Sequence, residues 1–368
     1  MNLQIIKECS WQKVYINILD SNYTLLRVEK LSFKDNISTF NFNLETDKFY
    51  YLSNEKCYKT EVVIISENTE KVSLKYNYKT KKYYIYLTDT VALYNSCETF
   101  ILTDEKNLYF RPDKAKKIDI IVPKNYDKNK RYPLLIMFDG QNLFDLKNIG
   151  NYTTKNDPYG SWQVDVSMSM LSKKKNLEFI VVGIEHTDIL RTNELLTDTN
   201  KFYLKSIDLL EEHEREGLID NLDNFINETL LPFVTSKYSI DLDNIGISGS
   251  SMGGMGCHYI GLKNLGKYKF ILSFTPASAL VIDEAWSDFY QEINFKDNID
   301  KLPLFYFFQG NYGELENMLY KGNLNLINYL LKYNYPQHLI KSYIEPSAEH
   351  NEVAWRYAFN YMIYNTFK

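Results

Sequence analysis

The stretch "NIGISGSSMGGMG", residues 244–256, sets Ser248, Ser250 and Ser251 among glycines. "NIGIS" reads as a short buried strand and "MGCHYIGL" as the start of a helix, so the serines fall on a strand-to-helix turn. The pattern G-x-S-x-G fits Gly249, Ser250, Ser251, Met252 and Gly253; a frame centred on Ser248 would need a glycine where Ser250 stands. Glycines belong on both sides because a tight turn brings strand and helix backbones close enough for a Cβ to collide. Such a turn lifts the Ser251 hydroxyl over the sheet edge and aims the free N–H groups of the helix start at developing negative charge. The plain alternative is a glycine-rich helix start with no chemistry. A phosphate loop is excluded, since no Lys-Ser or Lys-Thr pair closes the run and GxGxxG is absent.

Outward from this turn, the chain from about residue 115 alternates short apolar runs with longer segments of helical spacing. The runs are "IDIIV", "PLLIMF", "FIVVGI", "NIGIS", "FILSF" and "PLFYFF". In "LIDNLDNFINETLLPFV", Leu218, Leu222, Phe225, Ile226 and Leu230 recur three or four apart, as one face of a helix requires. Further helices are expected in "LNLINYLLKY" and "NEVAWRYAFNYMIYNTF". Strands alternating with helices predict an α/β fold, a mostly parallel sheet with helices on both faces.

Residues 1–110 read differently. In "KVSLKYNY", Val72, Leu74, Tyr76 and Tyr78 alternate with polar residues, as in a half-buried strand. "YYIYL", "EVVII" and "KVYINIL" are further strands. The expected organisation is a small immunoglobulin-like β-sandwich over 1–110, then the α/β domain over 111–368. Trp11 and Tyr83 are read as core.

Bulk properties narrow the function classes. The chain has 368 residues, 45% of them hydrophobic and 24% charged, the balance of an ordinary folded protein. A net charge of −5 argues against a nucleic-acid surface. No apolar run is long enough to span a membrane, and no secretory signal is seen at the N-terminus. Cys9, Cys57, Cys97 and Cys257 are scattered, with no metal-ligand spacing, and read as reduced thiols in a cytoplasmic protein.

A serine hydroxyl needs a base, and the base an acid to orient it. On this type of turn both follow the serine in sequence. Beyond the helix after Ser251 lie His338 and His350; His350, in the loop before the last helix, is the candidate base, and His338 reads as surface. His258 is expected to pack inside its helix. The acid should follow "PLFYFF", where "QGNYGELENM" offers Glu314, the preferred choice, and Glu316. The oxyanion hole needs two backbone N–H donors, expected from Met252 and from Gln141 in "DGQNLF".

Together these residues resemble the esterase family that includes esterase D, feruloyl esterases and the enterochelin esterases. The marks are "MFDGQNLFD", "GSWQVD", "VVGIEHTDILRTNEL", "LLPFVTSKY", "GISGSSMGGM" and "AEHNEVAWRYAF", in order across residues 115–368. The resemblance implies an α/β-hydrolase fold, a carboxylic ester substrate, an acyl-serine at Ser251 and no metal or organic cofactor. Arg191 and Glu194 match the family's R-x-x-E; they are expected as a buried ion pair holding a loop, with lining of the site as the alternative. Trp162 and Arg191 are the candidate substrate contacts. One departure is visible: the family's acid position, three residues past the glycine ending the acid strand, is Gly313 here. Siderophore, acylated carbohydrate and simple aliphatic esters stay open as substrates. Acyl transfer to a sugar hydroxyl, or a binding protein that lost its chemistry, are the alternative readings.

Overall fold

The computed structural model describes residues 2–20, 24–42, 48–55, 60, 69–77, 82–89, 94, 97–103, 115–144, 161–187, 190–197, 217–281, 283–346 and 348–366. The strand expected in "EVVII" (61–65), Tyr78, Cys57 and His213 lie outside the described residues.

Among the described residues near the N-terminus, alternating apolar positions form seven strands: β1 (Asn2–Glu8), β2 (Val14–Leu19), β3 (Leu25–Leu31), β4 (Ile37–Asn41), β5 (Phe49–Ser53), β6 (Thr69–Asn77) and β7 (Lys82–Asp89). They make two sheets, β4-β1-β6-β7 and β3-β2-β5. Inward-facing residues from both, among them Ile5, Val14, Ile16, Leu52, Val72 and Leu74, close one core. Trp11 is buried there, its ring 4.4 Å from that of Tyr83, as expected of a core pair. Leu19 of this unit packs on Met170 of the region that follows.

The remaining strands build one sheet. They are β8 (Cys97–Thr103), β9 (Ala115–Ile121), β10 (Tyr132–Phe138), β11 (Ile180–Ile184), β12 (Ile240–Ser250), β13 (Phe270–Phe274), β14 (Leu304–Gly310) and β15 (Ile340–Glu345). Their order is β15-β14-β13-β12-β10-β11-β9-β8. The strands β10 to β15 pair in parallel, while β9 runs antiparallel to β11, and β8 to β9. The expected boundary at residue 110 is therefore too late. Residues 97–103 were assigned to the sandwich but pair along their whole length with β9. At the outer edge of the large sheet β8 stays half exposed, so its sequence lacks the continuous apolar signature of the inner strands.

Among the described residues eight helices complete the layers: α1 (Val164–Lys175), α2 (Arg191–Leu195), α3 (Ile219–Phe225), α4 (Leu231–Lys237), α5 (Met252–Lys263), α6 (Asp283–Ile293), α7 (Glu314–Lys332) and α8 (Glu352–Thr366). The helix expected over 218–234 forms as α3 and α4 joined by a π turn, Ile226–Leu230. Alternation along β10 shows why the inner strands are apolar throughout. Leu134, Ile136 and Phe138 enter the core shared with α3 and α5. Leu135 and Met137 enter the opposite core, with Val164 and Met168 of α1 and Phe359 and Met362 of α8. Each fully buried side chain of this kind contributes roughly 1.5–3 kcal/mol. The result is the α/β-hydrolase arrangement, and its parallel strands bring their C-terminal ends to one edge, where ligands of such sheets bind. Among the described residues no helix is long and apolar enough to cross a membrane.

Candidate active site

Strand β12 ends at Ser250 and α5 begins at Met252, so Ser251 is the single residue between them. Its backbone sits at φ 55°, ψ −122°, a conformation that costs an L-residue free energy and needs support. Three backbone hydrogen bonds supply it: Ser251 N–H donates to Phe274 O at 2.9 Å, and its own carbonyl accepts from Met255 at 3.1 Å and Ala277 at 2.9 Å. The glycine two positions before Ser251 is required by contact. A Cβ on Gly249 would come within 2.5 Å of the Gly253 carbonyl group. The sharp turn is thus a consequence of two backbones in direct contact, as the sequence pattern implies.

His350 lies between β15 and α8, on the same edge of the sheet. Its Nδ1 is 3.2 Å from Glu316 Oε1, and the Glu316 side chain is 1% exposed. The acid facing the histidine is therefore Glu316, and Glu314, the expected choice, is corrected. Both belong to α7, but Glu314 is exposed at its first position. Glu316 shares the inward stripe of Leu319, Asn323, Leu326 and Leu330, spaced three and four apart. Gly313, in the family's acid position, is the N-cap of α7 at φ 96°. The carboxyl packs so closely on β14 that a Cβ at Gly310 would lie 2.9 Å from Glu316 Cδ and 2.6 Å from Ala348 O. Rings connect the histidine to the serine. His350 meets the Trp355 ring at 5.1 Å, Trp355 meets Trp162 at 5.5 Å, and Trp162 meets Phe274, whose carbonyl holds Ser251, at 5.0 Å.

Gln141 falls in a short 3-10 turn, Gly140–Asn142, after β10. Asp139, the residue before it, has φ 56°, and its Oδ2 lies 3.5 Å from the position of a Cβ on Gly253. The turn therefore sits beside the start of α5, where Met252 is. It is tied down by Asn142 Nδ2 donating to Glu352 Oε1 at 3.3 Å and by the His186 N–H donating to Gln141 Oε1 at 3.3 Å.

Arg191 does not pair with Glu194. Its Nε and Nη2 donate to Asp139 Oδ1 and Oδ2 at 2.7 and 2.8 Å, a two-pronged ion pair. Burial alone would raise the Asp139 carboxyl, but the Arg191 charge and hydrogen bonds outweigh it and hold the group below its usual value. Glu194 is instead paired with the buried Lys116 and accepts from Thr187 Oγ1 at 2.6 Å. The expected single pair is two separate ones, because α2 is one short turn whose two charged residues face different strands. Trp162, the other expected substrate contact, is a core residue: 2% exposed and packed among Phe274, Trp355 and Phe359. Its backbone N–H donates to Asn142 O at 2.8 Å, so it braces the Gln141 turn from behind.

The other described histidines fall where the sequence reading put them or carry no role there. His338 is exposed. His258 is fully buried in α5, with Nε2 2.8 Å from the Tyr290 hydroxyl and rings of Trp286 and Phe305 against it. Burial pushes its imidazole down to about 3. Asp139, which anchors Arg191 beside the Gln141 turn, is a residue the sequence reading missed. Asp139 had a visible signal, a lone charge closing an apolar strand.

Comparison with known proteins gives the family and agrees with the fold. Residues 111–364 match the family described as Putative esterase. No curated protein matches the sequence. Among solved structures, an IroE-like serine hydrolase from Shewanella oneidensis superposes with TM-score 0.57 at 17% identity, covering 74% of this chain and 81% of that one. The siderophore hydrolase EstB from Aspergillus nidulans gives 0.51 at 16% identity, covering 75% and 97%. A CE1 ferulic acid esterase from Anaeromyces mucronatus gives 0.51 at 18% identity, covering 76% and 93%. At these identities the likeness speaks for the fold alone.

Proposed function

The chain belongs to the Putative esterase family, and from that premise we propose that it hydrolyses carboxylic esters through an acyl-serine formed on Ser251. The observation that carries this reading is the pairing of His350 with the buried Glu316 on the sheet edge where Ser251 is held in a strained turn. His350 accepts the Ser251 proton as the hydroxyl attacks the ester carbonyl. The Glu316 carboxylate, bonded to Nδ1, fixes the ring so that Nε2 faces the serine and stabilises the imidazolium that forms. The oxyanion rests on the backbone N–H groups of Met252 and Gln141, with the α5 N-terminus adding its positive end. His350 returns its proton to the leaving alcohol. Water then attacks the acyl-serine with His350 again as base, releasing the acid.

Ester class is a separate matter. The names of two fold relatives point to siderophore and ferulic acid esters, and a trilactone siderophore, a feruloyl ester and an acetylated xylo-oligosaccharide form the panel that separates these classes. The reaction itself is tested first with p-nitrophenyl acetate. The wild-type chain should show a burst followed by turnover, and Ser251→Ala should lower turnover by about 10⁴-fold or more. Hydrolysis that survives this substitution would refute the reading.

A further inference from the structure

Glu316 occupies an unusual station, on the third residue of a helix rather than in the loop after β14, and its surroundings extend the row of groups behind His350. One carboxylate oxygen faces the histidine. The other, Oε2, accepts a hydrogen bond at 2.7 Å from Gln309 Nε2, and the same amide nitrogen donates to Gly310 O at 2.7 Å. Two acceptors on that side fix the amide's orientation, since only the nitrogen can serve both. Gln309 Oε1 must then point the other way, where Asn323 Nδ2 donates to it. All three side chains are nearly sealed from solvent: Gln309 is 5% exposed, Asn323 4% and Glu316 1%.

We propose that Gln309 and Asn323 are positioning residues for the esterase reaction, forming with Glu316 and His350 a four-member row that aims the imidazole at Ser251. This rests on the ester-hydrolase reading above. A buried carboxylate serves the histidine only if its second oxygen is also satisfied and its plane held still. Here a neutral amide does both without neutralising the charge, and Asn323, two helical turns further along the same stripe of α7, locks that amide. The row compensates for the glycine at the family's acid position: the acid has moved onto α7, and β14 and α7 each contribute one side chain to hold it.

The test is a double-mutant cycle on p-nitrophenyl acetate. Gln309→Met keeps the volume and removes the donor; its expected effect is a fall in kcat of about tenfold, the scale of one hydrogen bond to a charged group, with KM unchanged. In a Glu316→Ala background the same substitution should cost nothing further, since the group it positions is gone. Asn323→Leu should give a smaller loss with the same non-additivity, and it carries the test if Gln309→Met does not fold. An equal loss in both backgrounds, or no loss at all, overturns the proposal. Ser251→Ala run alongside separates the two readings. If it loses activity while the Gln309 and Asn323 variants do not, only the positioning row fails; if it stays active, the ester-hydrolase reading fails.

Discussion

At the scale of single residues, the site turns on which of two glutamates meets His350, and two positions along a helix decide it. Glu314 opens α7 facing water, while Glu316 lies on the stripe that packs against β14. Replacing Glu316 with Gln is therefore expected to lower kcat on p-nitrophenyl acetate by about 10⁴, as loss of the orienting acid does elsewhere. Glu314→Gln should leave kcat at its wild-type value. The opposite ranking in steady-state kinetics would place the acid at 314. The choice was legible in the sequence, because 316, 319, 323, 326 and 330 repeat three and four apart with apolar residues at three of the five. Counting from the end of β14 hid it, since that count assumes an acid in the loop. Arg191 was not legible in the same way: its partner Asp139 is 52 positions away and no spacing rule connects them.

At the scale of elements, the parallel strands and the turn at Ser251 were plain in the sequence, since strands buried on both faces must be apolar throughout. The edge strand β8 was misassigned for the converse reason, its half-exposed pattern matching that of a sandwich strand. Helix α5 carries its own consequence through His258, which packs against α6 and β14 and is kept neutral by burial at a value near 3, below the ordinary 6.5. Between those two pH values the unfolded chain binds a proton that the folded chain refuses, so stability is full above 6.5 and falls as the pH drops. His258→Gln, which cannot titrate, should flatten this dependence by up to about 1.4 kcal/mol per pH unit. Urea unfolding of both proteins at pH 7, 6 and 5 checks it, and parallel losses would contradict the assignment.

At the scale of the whole molecule, the sheet order gathers residues from four separate stretches onto one edge. The Gln141 turn follows β10, Ser251 follows β12, Glu316 lies in the first turn of the helix after β14 and His350 follows β15. Chain order gave the candidates for each part, but which side chains pair depended on packing between α7 and β14 and on the tryptophan ring contacts beneath the edge. In the proposed reaction this gathering makes Ser251 the nucleophile. Labelling with a fluorophosphonate, followed by mass analysis of the peptides, reads out that role. The expected result is one phosphonyl group per chain, carried by Ser251 and formed far more slowly in His350→Ala. A label on another residue, or an unmodified Ser251 in the folded wild-type protein, would rule Ser251 out as the nucleophile.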